Sequence, residues 1–354
     1  MPKKKKVVTI TSIAQHLGLS VATVSYVLND KIIENGIPEE TAERVRAAAQ
    51  ELGYVPNELA RSLRRQRTDS IGLLLSDLQQ GWADRTMKGV LSVLDPKGYV
   101  VYMGVHFWDP ERERRELKSM VKKRMEAIIT VPTTDNVDFY NELVKQGVQL
   151  LFLQDEMEEC PEISFCMWDA REAAKSCVRH LIETGHKRIG FAGVDHYTPW
   201  LKMRLEGFRE AMQEEGMPIR EDWICMDHRE IIPTTSETQV HFGEAVEKLL
   251  RKEKAGKRPD AFLAMNDAVA MTTISVIRDR MHLSVPNDIA VVGMGDLAWA
   301  PLVGLSTARE PVEEVGRAAA QTTLNLIKRK GKTGQLRSLV SSDSIMVRDT
   351  TRQQ

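Results

Sequence analysis

Two sets of residues in this 354-residue chain have the types and spacing to do chemistry. The first is compact. Val21, Ala22, Ser25 and Tyr26 bring methyl groups, a hydroxyl and a phenol together within six residues, chemistry suited to touching thymine methyls and hydrogen-bonding base edges in a DNA groove. The second set is spread along the chain. Trp82, Trp108, Trp168, Trp200 and Trp299 fall in loops or at a subdomain crossing, and the same loops supply Asp77, Gln80, Asp155, Asp169, Asp195, Arg204, Asn266, Asp267 and Asp296. Tryptophan faces can stack on the C–H face of a sugar ring while polar neighbours hold its hydroxyls. Tryptophan with carboxylates, amides and one arginine suits a carbohydrate more than a purine or a phosphate. Two of the five tryptophans are expected to pack subdomain interfaces instead.

The first set needs a helix to present it. Ile10, Ile13, Ala14 and Leu17 recur at helical spacing, Gly18 tolerates positive φ, and Ser20 is a good N-cap for a second helix whose stripe is Val24, Val27 and Leu28. A third helix is predicted from Glu39 to Leu52, with Pro38 at its start, Val45, Ala48, Ala49 and Leu52 inward, and Gly53 just past its end. Two helices joined by a glycine-containing turn form the helix-turn-helix that lays its second helix in the major groove. An ordinary three-helix bundle is the alternative reading of the same periodicity.

The second set needs a larger scaffold. From Ile71 onward, apolar runs ending near Ser76, Gly104, Val131, Leu153, Gly193, Met226, Met265 and Gly293 alternate with helical patterns at Glu111–Arg124, Ala170–Thr184, Leu201–Gly216 and Glu237–Lys254. This β-α order predicts parallel sheets covered by helices, and its length predicts two similar α/β subdomains with a cleft between them. Ligands in such sheets bind beyond the carboxyl ends of the strands, which directs attention to the loops just named.

Charge and composition narrow the function classes. The whole chain carries a formal charge of −1, but residues 1 to 68 hold eleven Lys or Arg against seven Asp or Glu. A basic head on an acidic body suits a protein that meets phosphates with one end. Lys3 to Lys6 extend that head as a flexible arm or as a solvated terminus. There is no apolar run of membrane-spanning length and no signal-peptide pattern, so a cytoplasmic protein without membrane contact is expected. Cys160, Cys166, Cys177 and Cys225 lack metal-ligand spacing and read as reduced thiols, with no metal site and no cofactor.

Enzyme readings fare poorly. Gly331-Lys332-Thr333 has Leu326 where a phosphate loop needs glycine, Gly293-x-Gly295 lacks a third glycine, and no spacing ties Ser, His and acid into a triad. A solute-binding protein would share the body but not the basic head.

The head carries Ala-Thr-Val-Ser-x-Val-Leu-Asn from Ala22 to Asn29, then Glu40-Thr41, Arg44-Val45, Gly53-Tyr54-Val55-Pro56-Asn57 and Ala60-Arg61-Ser62-Leu63. On these motifs it resembles the head of the lac repressor/galactose repressor family of bacterial transcription regulators. The body is similar at Thr184-Gly185-His186-Lys187-Arg188-Ile189-Gly190-Phe191, at Arg204-x-x-Gly207-Phe208, at Asn266-Asp267 and from Ser284 to Gly293. The resemblance implies a repressor that binds a palindromic operator as a homodimer and answers to a small effector in the cleft. The effector is expected to be a sugar acting as inducer; a corepressor, purine-like or protein, is the alternative.

Domains implied are a headpiece at 1–56, a hinge at 57–68 and a core at 69–354. The core divides into an N-subdomain of about 69–167 and 310–335 and a C-subdomain of about 168–309 and 336–354. DNA contacts are implied for Thr11, Ser20, Val21, Ala22, Thr23, Ser25, Tyr26 and Asn29, and in the hinge for Asn57, Ala60, Arg61, Leu63 and Arg64. Leu63 would wedge into the minor groove at a central CG step, with Arg61, Arg64, Arg65 and Arg67 on phosphates. Effector contacts are implied for Asp77, Gln80, Trp82, Trp108, Asp169, Trp200, Arg204, Asn266, Asp267, Asp296 and Trp299, while His186 reads as structural.

Two departures stand out. Tyr26 occupies a position where the family often has arginine, so a shifted operator sequence is expected. Met294-Gly295-Asp296 replaces the usual aromatic and two aspartates, so Asp296 or Asp267 must compensate or the ligand class differs. The end of the chain shows no heptad leucines, which makes a dimer the expected assembly.

Overall fold

The structure is a computed structural model and describes residues 8–54, 67–78, 81–194, 199–227, 243–254, 256–329, 334–342 and 344–352. The chain divides into two compact units, Met1–Thr68 and Asp69–Gln354.

In the first unit, Thr9 caps α1 (Ile10–Leu17) reciprocally. Its hydroxyl accepts the Ser12 N–H at 3.2 Å, and its own N–H donates to Ser12 Oγ at 2.7 Å, satisfying two orphan donors at once. Gly18 ends the helix at φ 64°, a left-handed conformation open to glycine without strain. Ser20 then caps α2 (Val21–Leu28) by accepting the Thr23 N–H at 3.0 Å. α3 (Glu39–Glu51) starts after Pro38 and places Glu39 and Glu40 in its first turn, where carboxylates suit the positive end of the helix. Ile13, Ala14, Val24, Val27, Ala42, Val45, Ala48 and Ala49 form the mini-core of these three helices. Each fully buried Ile or Val there stabilises by about 1.5–3 kcal/mol.

The second unit holds two sheets. The first runs in the order β11-β5-β4-β3-β1-β2, entirely parallel, from β1 (Ser70–Leu75), β2 (Val100–Val105), β3 (Ala127–Thr130), β4 (Leu150–Leu153), β5 (Ser164–Trp168) and β11 (Arg337–Val340). The second runs β12-β10-β9-β8-β6-β7, from β6 (Ile189–Val194), β7 (Ile224–Asp227), β8 (Ala261–Ala264), β9 (Ala290–Gly295), β10 (Ser306–Arg309) and β12 (Ile345–Met346). Only the β10/β12 pair is antiparallel. Helices α4 (Trp82–Leu94), α5 (Pro110–Lys122), α6 (Val137–Lys145), α7 (Ala170–Glu183), α8 (Pro199–Glu214), α9 (Glu244–Lys252), α10 (Asp267–Ser275) and α11 (Val312–Arg329) join the strands. β1, β3, β4, β5, β6, β8 and β9 are buried along their whole lengths, as strands covered on both faces must be.

Two expectations need correction. The chain was expected to pass into the C-subdomain for good at 336, yet residues 337–340 pair with β5 of the first sheet, because Arg337↔Phe165 through Val340↔Trp168 completes that sheet's far edge. Trp168 was expected in a loop or at the subdomain crossing; it is the last residue of β5 in the first sheet and is 2 % exposed.

Close backbone approaches position the future site. A Cβ on Gly89 of α4 would lie 2.1 Å from the Glu313 carbonyl oxygen, and one on Gly316 of α11 would lie 2.5 Å from that of Thr86. These glycines let α4 and α11 touch, holding Trp82 at the start of α4 near the segment that leads into α11. Gly207 does the same for α8 against α7, where a Cβ would meet the Arg171 carbonyl oxygen at 2.3 Å. Arg171 then clasps Glu206 at 2.5 Å and Glu210 at 2.7 Å, fixing the helix that carries Arg204.

Candidate functional site

In the first unit the candidate surface is the outer side of α2. Val21 is 48 % exposed and Tyr26 39 %, with Ala22 exposed beside them, so apolar and phenolic groups stand in water on a short, well-capped helix. Other residues of the implied set have local duties. The Ser20 and Thr23 hydroxyls lie 2.8 Å apart, and Asn29 Nδ2 donates to the Ser25 carbonyl at 2.6 Å, closing the helix end. Thr11 is exposed on α1. Asn57, Ala60, Arg61, Leu63, Arg64 and Arg65 lie outside the described residues, as do Gln80 and Asp195.

In the second unit the strand order reverses between β1 and β3 in one sheet and between β6 and β8 in the other, which marks where a ligand site forms. Arg204 reaches the β8 end. Its Nη1 donates to the Met265 carbonyl at 2.6 Å, its guanidinium lies 5.2 Å from the Trp168 ring, and its Nη2 is 3.9 Å from Glu310 Oε2. Glu310, just past β10, also accepts from Gln154 Nε2 at 2.7 Å and from the Trp82 side chain. Gln154 follows β4 and its Oε1 accepts the Trp168 N–H at 2.9 Å. Groups from both sheets thus converge on one carboxylate. Burial pushes Glu310 above the usual carboxylate range, opposed first by Arg204, and burial pulls Arg204 down.

A second cluster sits at the ends of β1 and β2. His106 is fully buried, and its Nε2 lies 3.0 Å from the Val131 carbonyl while its Nδ1 accepts the Trp108 N–H at 3.2 Å. Those partners require the Nε2–H tautomer, and burial holds the imidazole below its ordinary pKa, in the neutral form. Trp108, at φ 59°, then donates its indole N–H to Asp77 Oδ2 at 3.3 Å.

The remaining carboxylates have supporting roles. Asp169 caps α7 by accepting the Glu172 N–H at 3.1 Å. Asn266 caps α10 through Oδ1, taking the Val269 N–H at 2.8 Å and leaving its amide group for other partners. Asp267, implied as an effector contact, is fully buried: Oδ2 accepts the Leu297 N–H at 2.8 Å and Oδ1 the Thr307 hydroxyl at 2.5 Å. Its carboxylate works beneath the loop after β9 and not in a binding surface. Asp296 Oδ1 accepts from Arg348 Nη2 at 2.7 Å. Neither aspartate is therefore a free substitute for the side chain that Gly295 lacks. Gly295 itself has φ 143°, a conformation that L side chains rarely adopt, and a Cβ on Gly293 would lie 2.5 Å from Asp267 Oδ1. The two glycines leave room for Asp267.

Trp82 and Trp299 are half-buried against the main core, Trp200 lies in the first turn of α8, and Trp223 is buried ahead of β7. His186 packs at the end of α7 with Nδ1 3.9 Å from Asp260, a structural setting. All four cysteines are free and buried, and burial pushes Cys177 and Cys225 up to about 12 and Cys160 and Cys166 up to about 11, so these thiols stay protonated. Sequence reasoning missed His106, Gln154, Thr307, Glu310 and Arg348. Glu310 had one available signal, its place directly after a short run, Ser-Thr-Ala-Arg, that forms β10.

Comparison with known proteins fits both units. Residues 9–57 match the family model described as bacterial regulatory proteins, lacI family, and residues 178–351 match a periplasmic binding protein-like domain. The chain is similar to the probable HTH-type transcriptional regulator EndR of Paenibacillus polymyxa, 26 % identical over 92 % of each chain. It is also similar to the HTH-type transcriptional repressor PurR of Aliivibrio salmonicida, 28 % identical over 91 % of this chain and 93 % of the other. Among solved structures, a lac repressor dimer bound to operator and the anti-inducer ONPF shares the fold, with a TM-score of 0.77 at 23 % identity over 98 % and 99 % of the two chains.

Proposed function

From the premise that the chain belongs to the lacI family of bacterial regulatory proteins, a DNA-binding transcription regulator with an effector-binding core, we propose that it represses from a palindromic operator as a homodimer and that a sugar in the cleft releases it. The observation that carries the DNA reading is the exposed Val21–Ala22–Tyr26 surface on a helix whose opposite side buries Val24 and Val27. Tyr26 offers a ring to a thymine methyl and one hydroxyl to a base edge, while Leu63, Arg61 and Arg64 add minor-groove and phosphate contacts.

The dimer reading is supported by β2. It is the edge of the first sheet, and Val100, Tyr102 and Met103 are each about half exposed on it (56 %, 49 % and 50 %). An apolar strand edge of this kind calls for a cover, and a second copy supplies one of matching shape. Among the described residues no helix is long and apolar enough to cross a membrane.

The sugar reading is supported by the half-buried Trp82, whose side chain donates to Glu310, the carboxylate that Arg204 faces at 3.9 Å. A purine-like corepressor would use the same groups, and the sign of the response separates the two. Selection of the full chain on random duplex DNA without ligand should enrich a palindrome. Sugars are then screened for release of that sequence, and purines for tighter retention. Failure to enrich any sequence, with and without those ligands, would overturn the operator reading.

A further inference from the structure

Glu310 belongs by sequence to the exit from the second sheet, yet its partners come from both subdomains. Gln154 at the end of β4 and Trp82 at the start of α4 donate to it, and Arg204 of α8 faces it at 3.9 Å, the Arg204 side chain 7 % exposed and that of Glu310 14 %. The direction of the Gln154 contact is fixed, because the other end of that amide accepts the Trp168 N–H. The Arg204 guanidinium therefore meets a carboxylate held in place from two other elements, β4 and α4.

We propose that Glu310 sets the charge class of the effector: it stands against Arg204 where an anionic group of a ligand would stand, so the site takes uncharged polar molecules and rejects those bearing a phosphate or carboxylate. The charges nearby are already balanced. Arg204 and Arg85 act on Glu310 from the positive side, and Asp267 adds a negative charge within reach of both Arg204 and Glu310. A second anion on Arg204 would face two carboxylates in a dehydrated site, where repulsion is weakly screened. A hydroxyl, by contrast, can donate to Glu310 and accept from Arg204 without adding charge.

The inference rests on the cleft being the effector site, and its test uses no DNA, so the two readings fail separately. The full chain is titrated with sodium sulfate in a calorimeter, against sodium chloride at equal ionic strength, as wild type, Glu310→Gln and Glu310→Gln/Arg204→Met. Sulfate stabilises proteins generally, so only saturable binding counts. Glu310→Gln is expected to bind sulfate at least about tenfold more tightly than wild type, and the added Arg204→Met to abolish the gain. Glu310→Ala, which leaves space for the anion, is the second variant should the first lose its cooperative melt. Equal sulfate affinity in wild type and in a cooperatively melting Glu310 variant would overturn the proposal, as would a gain that survives Arg204→Met.

Discussion

Arg348 Nη2 donates to Asp296 Oδ1 at 2.7 Å, while Nη1 of the same guanidinium donates to the Leu305 carbonyl at 2.7 Å. One side chain near the C-terminus thus ties both ends of the loop between β9 and β10, a loop that starts at Gly295 and Asp296 with positive φ. The same segment anchors itself through Ser306, whose N–H donates to Thr350 Oγ1 at 2.9 Å and whose hydroxyl lies 2.8 Å from that of Thr351.

Arg348→Met keeps the aliphatic stem and removes both bonds. Because the pair is about one-sixth exposed, the expected loss is roughly 1–3 kcal/mol of stability, with the effector response weakened more than DNA affinity. Urea melts and operator titrations on one preparation check this. An unchanged melt would mean that the loop is held by its backbone alone.

Asp155 gives a pH signature. It is 6 % exposed after β4, and burial pushes its carboxyl up to about 7, opposed by the Glu156 N–H. The folded state therefore keeps a proton that the unfolded chain gives up near 3.8. The stability this contributes is complete below 3.8 and is lost as pH rises through 7. Asp155→Asn should match wild type near pH 4 and become the more stable of the two as pH rises, by up to about 1.4 kcal/mol per pH unit before levelling above 7. Melts across pH 4 to 8 measure the difference directly, and a constant gap between the two curves would remove the ionisation from the account.

Much of this architecture was legible because buried parallel strands announce themselves. Eight apolar runs ended within two residues of observed strands, from β1 at Leu75 to β9 at Gly295, and four helical patterns fell on α5, α7, α8 and α9. β5 was missed because Cys160-Pro161-Glu162 reads as a turn and Trp168 reads as a loop aromatic. β10 and β11 carry Ser, Thr and Arg at positions that only their neighbours in the sheet make strand-like. The site was legible in its residue types and not in their pairings. Arg204 and Asn266 stand where strand ends predict, but the burial of Asp267 depends on Thr307 and Leu297, which are 40 and 30 residues away. No local pattern records such a partner.

Glu113 illustrates a carboxylate satisfied without a cation. It is fully buried on α5, accepting the Tyr140 hydroxyl at 2.6 Å, the Thr133 hydroxyl at 2.6 Å and Asn136 Nδ2 at 2.8 Å. Tyr140 also accepts the Thr133 N–H at 2.8 Å, so Tyr140→Phe leaves two buried groups short of a partner. The expected cost is about 1.5–3 kcal/mol, read as a lower urea midpoint at unchanged slope. Glu113→Gln/Tyr140→Phe should recover part of that loss, since the charge goes with its donor. A double variant as unstable as the sum of the singles would show that the two side chains act independently.

Tyr26 tests the reading of the headpiece most directly. It is exposed on α2, contributes nothing to the mini-core, and bears no charge to place on a phosphate. Tyr26→Ala should therefore weaken binding to the selected operator by about 1–2 kcal/mol, roughly 5- to 30-fold, while leaving the affinity for unrelated duplex unchanged. The dependence of binding on salt should also be unaltered, because that slope counts neutralised phosphates. Tyr26→Arg should move the preferred operator toward guanine at the contacted position, since a guanidinium can grip the O6 and N7 of guanine together where a phenol makes one bond. Fluorescence anisotropy at three salt concentrations, on the operator and on a scrambled duplex, distinguishes the outcomes. A parallel loss on both duplexes would relocate Tyr26 from base reading to the backbone, and no loss on either would take α2 out of the groove.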